Sequence, residues 1–360
     1  MKILITSPSL DERENVSGIS TMVREIQART SEELVHFQAG RKDGEPVSLG
    51  WLLKQILLPF QFFGRLREVK PDVVHVNTAF IKLAILRDAT LIFAARLAGR
   101  PVIINLQGGP YVRSEFTNPI LKAIATRMVA MSERLVVPST IEKEVLAKRF
   151  PGATIDVHPN AIALDSVVPR EASTPEVRTV IFFARHHHSK GLIHVIEASR
   201  ELEAEDVPMK FLCYGTGPEA DWFVAEMTKA LGDKFHYGGV LAGRDKWVAL
   251  SQADIFFLPS RDEGLPFALL EAMASGCVPV MADSGGVSSV IENGRNGFII
   301  EAGDVEQTAG TLRELLSPET DLEPLRENAR RTVEDNFNMD DYTERLDKLY
   351  ADVARRNGRT

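Results

Sequence analysis

The chain has 360 residues, of which 44% are hydrophobic and 26% charged, and a formal net charge of -8. That length exceeds what one hydrophobic core ordinarily organises, roughly 250–300 residues, and suits two domains; the composition excludes a disordered or fibrous chain. The acidic balance argues against a nucleic-acid partner, although it is uneven: residues 1–160 hold 21 Lys and Arg against 16 Asp and Glu, and residues 161–360 hold 21 against 34.

In chain order, Met1-Lys2-Ile3-Leu4-Ile5 begins at once as a strand, without the apolar core and cleavage site of a signal peptide, so the expected location is the cytoplasm. Short apolar runs then alternate with longer amphipathic ones, the pattern of βαβ units and a parallel sheet. Strands are predicted over Lys2–Thr6, Val35–Gln38, Asp72–Val76, Val102–Leu106 and Arg134–Val137. After a turn-rich stretch at Pro159–Thr174 a second series follows: Thr179–Phe183, Lys210–Cys213, Asp254–Leu258, Val278–Met281 and Gly297–Ile300. Asp340–Arg356 reads as a charged amphipathic helix. The expected fold is α/β, with two Rossmann-like doubly wound domains facing a cleft at the carboxyl ends of their sheets. Domain limits fall at residues 1–163, 164–340 and, for the terminal helix returning to the first domain, 341–360.

Several segments carry possible chemistry. SPSLDERENVSGIS places Ser17-Gly18 just before a helix, where Gly18 reads as a helix-start glycine. WLLKQILLPFQFFGRLREVK, Trp51 to Lys70, joins large apolar residues to Lys54, Arg65, Arg67 and Lys70, and residues 51–150 hold 15 Lys and Arg against 7 Asp and Glu. Two readings stand. A basic face with exposed aromatics can rest on an anionic membrane, or Trp51, Leu52, Ile56, Phe60 and Phe63 pack into the core while the cations face water, with Pro59 interrupting the helix. INLQGGPY carries Gln107 and Gly108 after a strand; Gln donates and accepts hydrogen bonds but cannot titrate. No run of about 18 apolar residues occurs that would span a membrane. Cys213 and Cys277 lie in apolar strand contexts and are read as buried thiols.

In the second half, VIFFARHHHSKG ends a strand in two cations, Arg185 and Lys190, suited to stabilise charge on a departing phosphate. His186, His187 and His188 lie between them. Three consecutive imidazoles cannot all face one ion, so they are read as loop residues near the phosphates, and no metal is expected. YGTGPE supplies Gly215 and Gly217 in a tight turn. The stretch from Ala253 to Ala282 runs from a strand through a polar loop into a helix, with Pro266 at its start and Gly276 at its end. A helix start there offers free N–H groups and a positive dipole to a phosphate. Glu263 precedes that helix and Glu271 lies within it, with seven residues between them; as an isolated pair they are equally readable as solvated surface carboxylates.

EGLPFALLEAMASGCVPVMA resembles the donor-site motif of the family 4 retaining glycosyltransferases, which have the GT-B fold. The match includes Glu263, Gly264, Pro266, Glu271, Ala272, Met273, Ala274, Gly276, Pro279 and Val280. The resemblance implies that Glu263 contacts the donor sugar and Glu271 the nucleotide ribose. It also implies that the amides from Gly264 through Leu265, Pro266 and Phe267 approach the diphosphate, with Arg185 and Lys190 stabilising it. The G-x-G-P-E element and the stretch beginning GGVLAG are similar to the family's nucleotide-framing segments, with Gly215, Gly217, Gly239 and Val240 as contacts, and Ser17-Gly18 stands where relatives usually carry two glycines near the donor phosphates and the acceptor, which implies a donor contact for Gly18. Gln107 and Gly108 stand where many relatives carry His and Gly beside the reacting sugar, and VHPNAI has Ala161 where Gly is usual. The implied reaction is retaining hexosyl transfer from a UDP- or GDP-sugar to a glycan, lipid-linked or small-molecule acceptor, with no cofactor. The competing readings are an epimerase or hydrolase of the same fold and a non-catalytic nucleotide-sugar-binding subunit.

Overall fold

In a computed structural model of the chain, all residues are described except Val16, Asp43, Gly44, Pro46, Val47, residues 171–176, Asp262, Arg359 and Thr360, and the side chains of Leu49 and Leu52. The chain divides into two compact units, Met1–Ala161 with Met339–Thr360, and Ile162–Asn338.

The first unit contains β1 (Lys2–Ser7), α1 (Gly18–Arg29), β2 (Glu33–Gln38), α2 (Leu49–Val69), β3 (Val73–Thr78), α3 (Lys82–Leu97) and β4 (Val102–Leu106). There follow α4 (Pro110–Arg113), α5 (Pro119–Ala130), β5 (Arg134–Val137), α6 (Thr140–Arg149) and β6 (Ile155–Val157). The six strands are parallel in the order β2-β1-β3-β4-β5-β6. Right-handed crossovers put α1 on one face and α2, α3 and α5 on the other; α2 packs on α3, and α3 on α5. The last helix of the chain, α13 (Met339–Arg356), packs beside α1 and covers β3. Its Tyr342 and Tyr350 are fully buried, and the Tyr350 hydroxyl lies 2.6 Å from Nδ1 of the buried His75. Burial holds that imidazole neutral, pushing its pKa down to about 3.

The second unit contains β7 (Thr179–Phe183), α7 (Leu192–Ala204), β8 (Lys210–Tyr214), α8 (Ala220–Leu231), β9 (Phe235–Tyr237), α9 (Gly243–Ser251) and β10 (Ile255–Leu258). Then come α10 (Phe267–Ala274), β11 (Val278–Ala282), β12 (Phe298–Ile300), α11 (Val305–Leu316) and α12 (Glu323–Asn336). Its six strands are parallel in the order β12-β11-β10-β7-β8-β9. The amide of Ile162 donates to Phe337 O, so the chain enters and leaves this unit at adjacent points. Asp254, immediately before β10, is fully buried; it accepts from the guanidinium groups of Arg170 and Arg326 and, at 2.7 Å, from the amide of Thr179. One carboxylate thus fixes the amino end of the strand whose other end carries the Glu263 loop.

The strands differ from the sequence expectation mainly at two sheet edges: β6 and β9 hold three residues each with a polar one at the centre, so neither forms an apolar run. Pro59 does not interrupt its helix. It sits inside the 21-residue α2, where flanking turns and packing tolerate the one backbone hydrogen bond that proline cannot make. Both cysteines are buried, and burial pushes each thiol up to about 12.

Glu142, in the first turn of α6, is 2% exposed, and its Oε2 has no hydrogen-bond partner among the described residues. Burial raises its pKa from 4.5 to about 7, with Arg113 opposing the shift. Between those values the native state holds more protons than the unfolded chain, so stability falls as pH rises through that window. Urea unfolding at pH 5 and pH 8 is expected to show Glu142→Gln gaining about 3 kcal/mol over the wild type at the higher pH, relative to the lower. A constant difference between the two proteins would show that Glu142 ionises freely.

Candidate functional site

The parallel order β10-β7-β8-β9 places the loops after these strands along one rim of the second sheet, and four sequence segments meet there. The first is the loop from β10 into α10. Pro266 occupies the cap position of α10 and offers no side-chain capping bond, so the first amides of the helix face outward with its positive dipole. Gly264 O accepts from the amide of Gly286, and Leu265 is buried at 3% exposure. This anchors the loop between Glu263 and the helix, while Phe267 opens α10 half-buried.

The second segment is the loop from β7 into α7. Gly191 has φ of 75°, and a Cβ there would lie 2.3 Å from Pro259 O. Only glycine allows the two loops to come this close, and Ser260 Oγ donates to Ser189 O at 3.0 Å across the same contact. The approach brings Lys190 Nζ within 2.6 Å of Glu263 Oε1, with side-chain exposures of 22% and 9%. Arg185 is exposed on this loop.

The three histidines separate. Contrary to the expectation of three loop residues beside a phosphate, His186 is fully buried: its ring packs against Phe182, Phe223 and Tyr237, and its Nε2 lies 3.5 Å from Cys213 Sγ. Burial lowers its pKa. His187 caps a short 3-10 turn by accepting from the amide of Ser189, and His188 Nδ1 lies 3.4 Å from Glu219. Among the described residues no three His, Cys, Asp or Glu side chains form a metal-ligand set.

The third segment, after β8, folds over His186. A Cβ on Gly215, whose φ is 125°, would meet Ala184 O at 1.9 Å, and one on Gly217 would meet His186 O at 2.2 Å. Both glycines are therefore required by the approach of backbone to backbone. The amide of Gly215 donates to Gly239 O at 2.7 Å, which joins this turn to the fourth segment, where Val240 is 47% exposed. Glu271 lies about one turn into α10, back from the rim. Its Oε1 accepts from Lys246 Nζ of α9 at 2.6 Å, with exposures of 8% and 13%, and that ammonium also stands 4.9 Å from the Trp247 ring centroid.

The remaining candidates belong to the first unit. Gly18 opens α1 behind Ser17, whose hydroxyl caps the helix at Ser20 N while Asn15 Oδ1 accepts from the Ser17 amide and the Ser20 hydroxyl. Gln107 follows β4 and ends a column of amides. Its Nε2 donates to Asn105 Oδ1 at 3.0 Å, Asn105 donates to Asn77 Oδ1 at 3.0 Å, and Asn77 donates to Thr6 O at 2.9 Å. Gly108, with φ of 88°, presents its carbonyl to the amide of Phe80.

Residues 168–332 match the family described as "Glycosyl transferases group 1", and residues 27–166 match "Glycosyltransferase Family 4". The two matches run almost without a break across both units. The second unit thus matches the group 1 glycosyltransferases over nearly its whole length. It is 32% identical over 178 residues to the putative colanic acid biosynthesis glycosyltransferase WcaL of Salmonella typhimurium, over 47% of this chain and 44% of that one. The chain thus spans about half the length of the first curated relatives it matches. It is 23% identical to the UDP-Gal:alpha-D-GlcNAc-diphosphoundecaprenol alpha-1,3-galactosyltransferase of Escherichia coli, over 84% of this chain and 81% of that one. The structure of Anabaena HepE in complex with UDP-glucose superposes with a TM-score of 0.78 at 16% identity, over 98% of this chain and all of HepE. The fold is therefore GT-B, two Rossmann-like doubly wound units.

The sequence gives no sign of Lys246, 25 residues from Glu271, or of the buried role of His186. Only the packing of α9 on α10 reveals the former. Lys246→Met would leave the Glu271 carboxylate buried without its cation, and removing one partner of a buried pair costs about 3–5 kcal/mol. In urea unfolding the single variant is expected to lose about 3 kcal/mol, and Lys246→Met/Glu271→Gln to regain most of it. Equal losses in the two variants would show that the lysine contributes through packing alone.

Proposed function

We propose that this chain transfers a hexosyl unit from a nucleotide-diphosphate sugar to a lipid-linked acceptor, with retention of anomeric configuration and without a metal. It works at the cytoplasmic face of a membrane in peripheral contact with anionic lipid. The observation that carries the reading is the Lys190–Glu263 pair standing at the uncapped start of α10. As the glycosidic bond to the diphosphate breaks, negative charge moves onto the departing phosphate oxygen. Lys190, Arg185 and the first amides of α10 receive that charge. Glu263 accepts hydrogen bonds from donor-sugar hydroxyls, and Glu271 accepts from the ribose hydroxyls. The acceptor's proton passes to the leaving phosphate, which is consistent with Gln107 having no titratable group.

The galactosyltransferase relative is named for a UDP-sugar donor and a diphosphoundecaprenol acceptor, and HepE holds UDP-glucose. UDP-sugars, with GDP-sugars as the second choice, and a polyprenyl diphosphate-linked sugar are therefore the first substrates to assay. Colanic acid biosynthesis in WcaL's name supports a role in polysaccharide assembly. No helix among the described residues is long and apolar enough to cross a membrane, so contact with the bilayer would be peripheral.

Transfer is expected with the lipid-linked acceptor, with the product's anomeric configuration read by NMR, and EDTA is expected to leave the rate unchanged. Arg185→Ala and Lys190→Ala should each lower kcat about a hundredfold with a smaller change in donor KM. Loss of donor affinity with kcat intact would contradict their assignment. Donor consumed without any acceptor would favour a hydrolase or epimerase, and donor bound without turnover a non-catalytic subunit. Calorimetry with UDP should show Glu271→Gln binding about ten- to a hundredfold more weakly than wild type, because the ribose loses a charged acceptor. Equal affinities would remove Glu271 from the nucleotide site.

A further inference from the structure

The outer faces of α2 and α3 are apolar where a helix of a soluble protein is ordinarily polar. On α2, Leu53, Ile56, Leu57 and Phe60 recur at one helical face, with Ile56 64% and Phe60 74% exposed. On α3, Leu83, Leu86, Phe93 and Leu97 do the same, with Phe93 59% and Leu97 69% exposed. Both helices follow strands of one parallel sheet and pack together, so the two stripes run side by side in the same direction. They end at a pocket of about 360 Å³ lined by Phe63, Leu66, Arg67, Lys70, Leu97, Ala98 and Arg100.

That lining holds three cations and no carboxylate. Arg67 lies 5.4 Å from the Phe63 ring centroid, Arg100 donates to Pro71 O at 2.9 Å, and Lys70 closes α2 in a left-handed conformation. Cations at a helix C-terminus are favoured by the macrodipole, but that role needs neither a concave apolar wall nor the exposed stripes that lead into it. A bilayer surface supplies the complement of both parts: acyl chains for the stripes and a phosphate for the cations.

We propose that the pocket at the C-terminal ends of α2 and α3 seats the phosphate of an anionic phospholipid headgroup, while the two apolar stripes enter the acyl boundary. The inference rests on the proposed function only in placing the first unit at a bilayer, and it names the site that makes the contact.

Co-sedimentation with vesicles of phosphatidylcholine, alone or mixed with phosphatidylglycerol, tests it without any sugar donor, so its outcome is independent of whether transfer occurs. Wild type is expected to sediment with the mixed vesicles at low salt. Arg67→Gln/Lys70→Gln should partition about thirtyfold less, whereas Lys143→Gln/Lys148→Gln, which removes the same charge from the exposed face of α6, should lose only the share that added salt screens. Phe60→Ser should weaken binding yet keep the preference for phosphatidylglycerol, and free glycerol phosphate should not displace the protein. Equal losses in the two charge variants, displacement by glycerol phosphate, or a lipid-free dimer formed through these stripes in sedimentation velocity would overturn the proposal. Circular dichroism spectra and melting curves matching wild type establish that each variant is folded.

Discussion

Two carboxylates taken out of water set the terms for the second unit. Glu263 and Glu271 have side-chain exposures of 9% and 8%, and each is held by one lysine at 2.6 Å. Desolvating an ion costs several kcal/mol, and only a close partner offsets it. Unlike the solvated ion pairs on this surface, these two therefore dictate where the chain must go. Lys190 can reach Glu263 only because Gly191 lets its loop touch the carbonyl of Pro259. Lys246 can reach Glu271 only because α9 packs on α10. The arrangement commits Oε1 of Glu263 to the Lys190 ammonium and Oε1 of Glu271 to the Lys246 ammonium.

The same economy of approach governs the adjoining turns. Three of the glycines on the rim, Gly191, Gly215 and Gly217, sit where a Cβ would fall within 2.3 Å of a carbonyl oxygen. His186 is the filler that makes this possible. Its ring occupies the space among Phe182, Phe223 and Tyr237, and its backbone takes the Thr216 carbonyl and the Glu219 amide. A run of histidines in sequence carries no mark of this, because extended backbone sends alternate side chains to opposite sides and composition cannot say which side is the core. The motif around Glu263, by contrast, was legible residue by residue, since strand, loop, helix start and helix end are each written in local chemistry. Partners that meet through the sheet, such as Lys246, leave no local trace.

Strand existence was equally legible where a strand holds a continuous apolar run, as at Val102–Leu106, Thr179–Phe183 and even the three-residue edge strand β12, and illegible for β6 and β9, whose three residues place Asp156 and His236 between apolar neighbours. Pro59 misleads for a related reason. Its local preference is against a helix interior, but Trp51, Phe62 and Leu66 bury one side of α2 on both sides of the proline, and tertiary burial outweighs one missing hydrogen bond. In the first unit the polar groups at the strand ends are arranged as amides, from Asn77 through Asn105 to Gln107. A column of this kind has fixed donors and acceptors at every pH, so it orients a neighbour without exchanging protons. Glu142 is the contrasting group, a buried carboxyl whose pKa of about 7 lets it change state near neutrality.

The inner face of α2 and α3 also decides how the outer face is to be read. Phe62, Leu66, Ile85, Leu91, Ile92 and Ala95 are all buried against the sheet, and at about 25 cal/mol per Å² this is the area that stabilises the unit. Ile56, Phe60, Phe93 and Leu97 add little to that sum because they remain largely in water. Folding therefore does not call for them, and their hydration is a standing liability for solubility. The alternative in which the large apolar residues of Trp51–Lys70 serve only the core holds for Trp51 and fails for Ile56 and Phe60, while the Leu52 side chain lies outside the described residues. The only gain available to such residues is burial against something outside the chain. In the proposed docking, the cations at the end of the stripes, with no carboxylate in the same lining, meet the anionic headgroups where the helices end, and the apolar stripes meet the acyl boundary along their length.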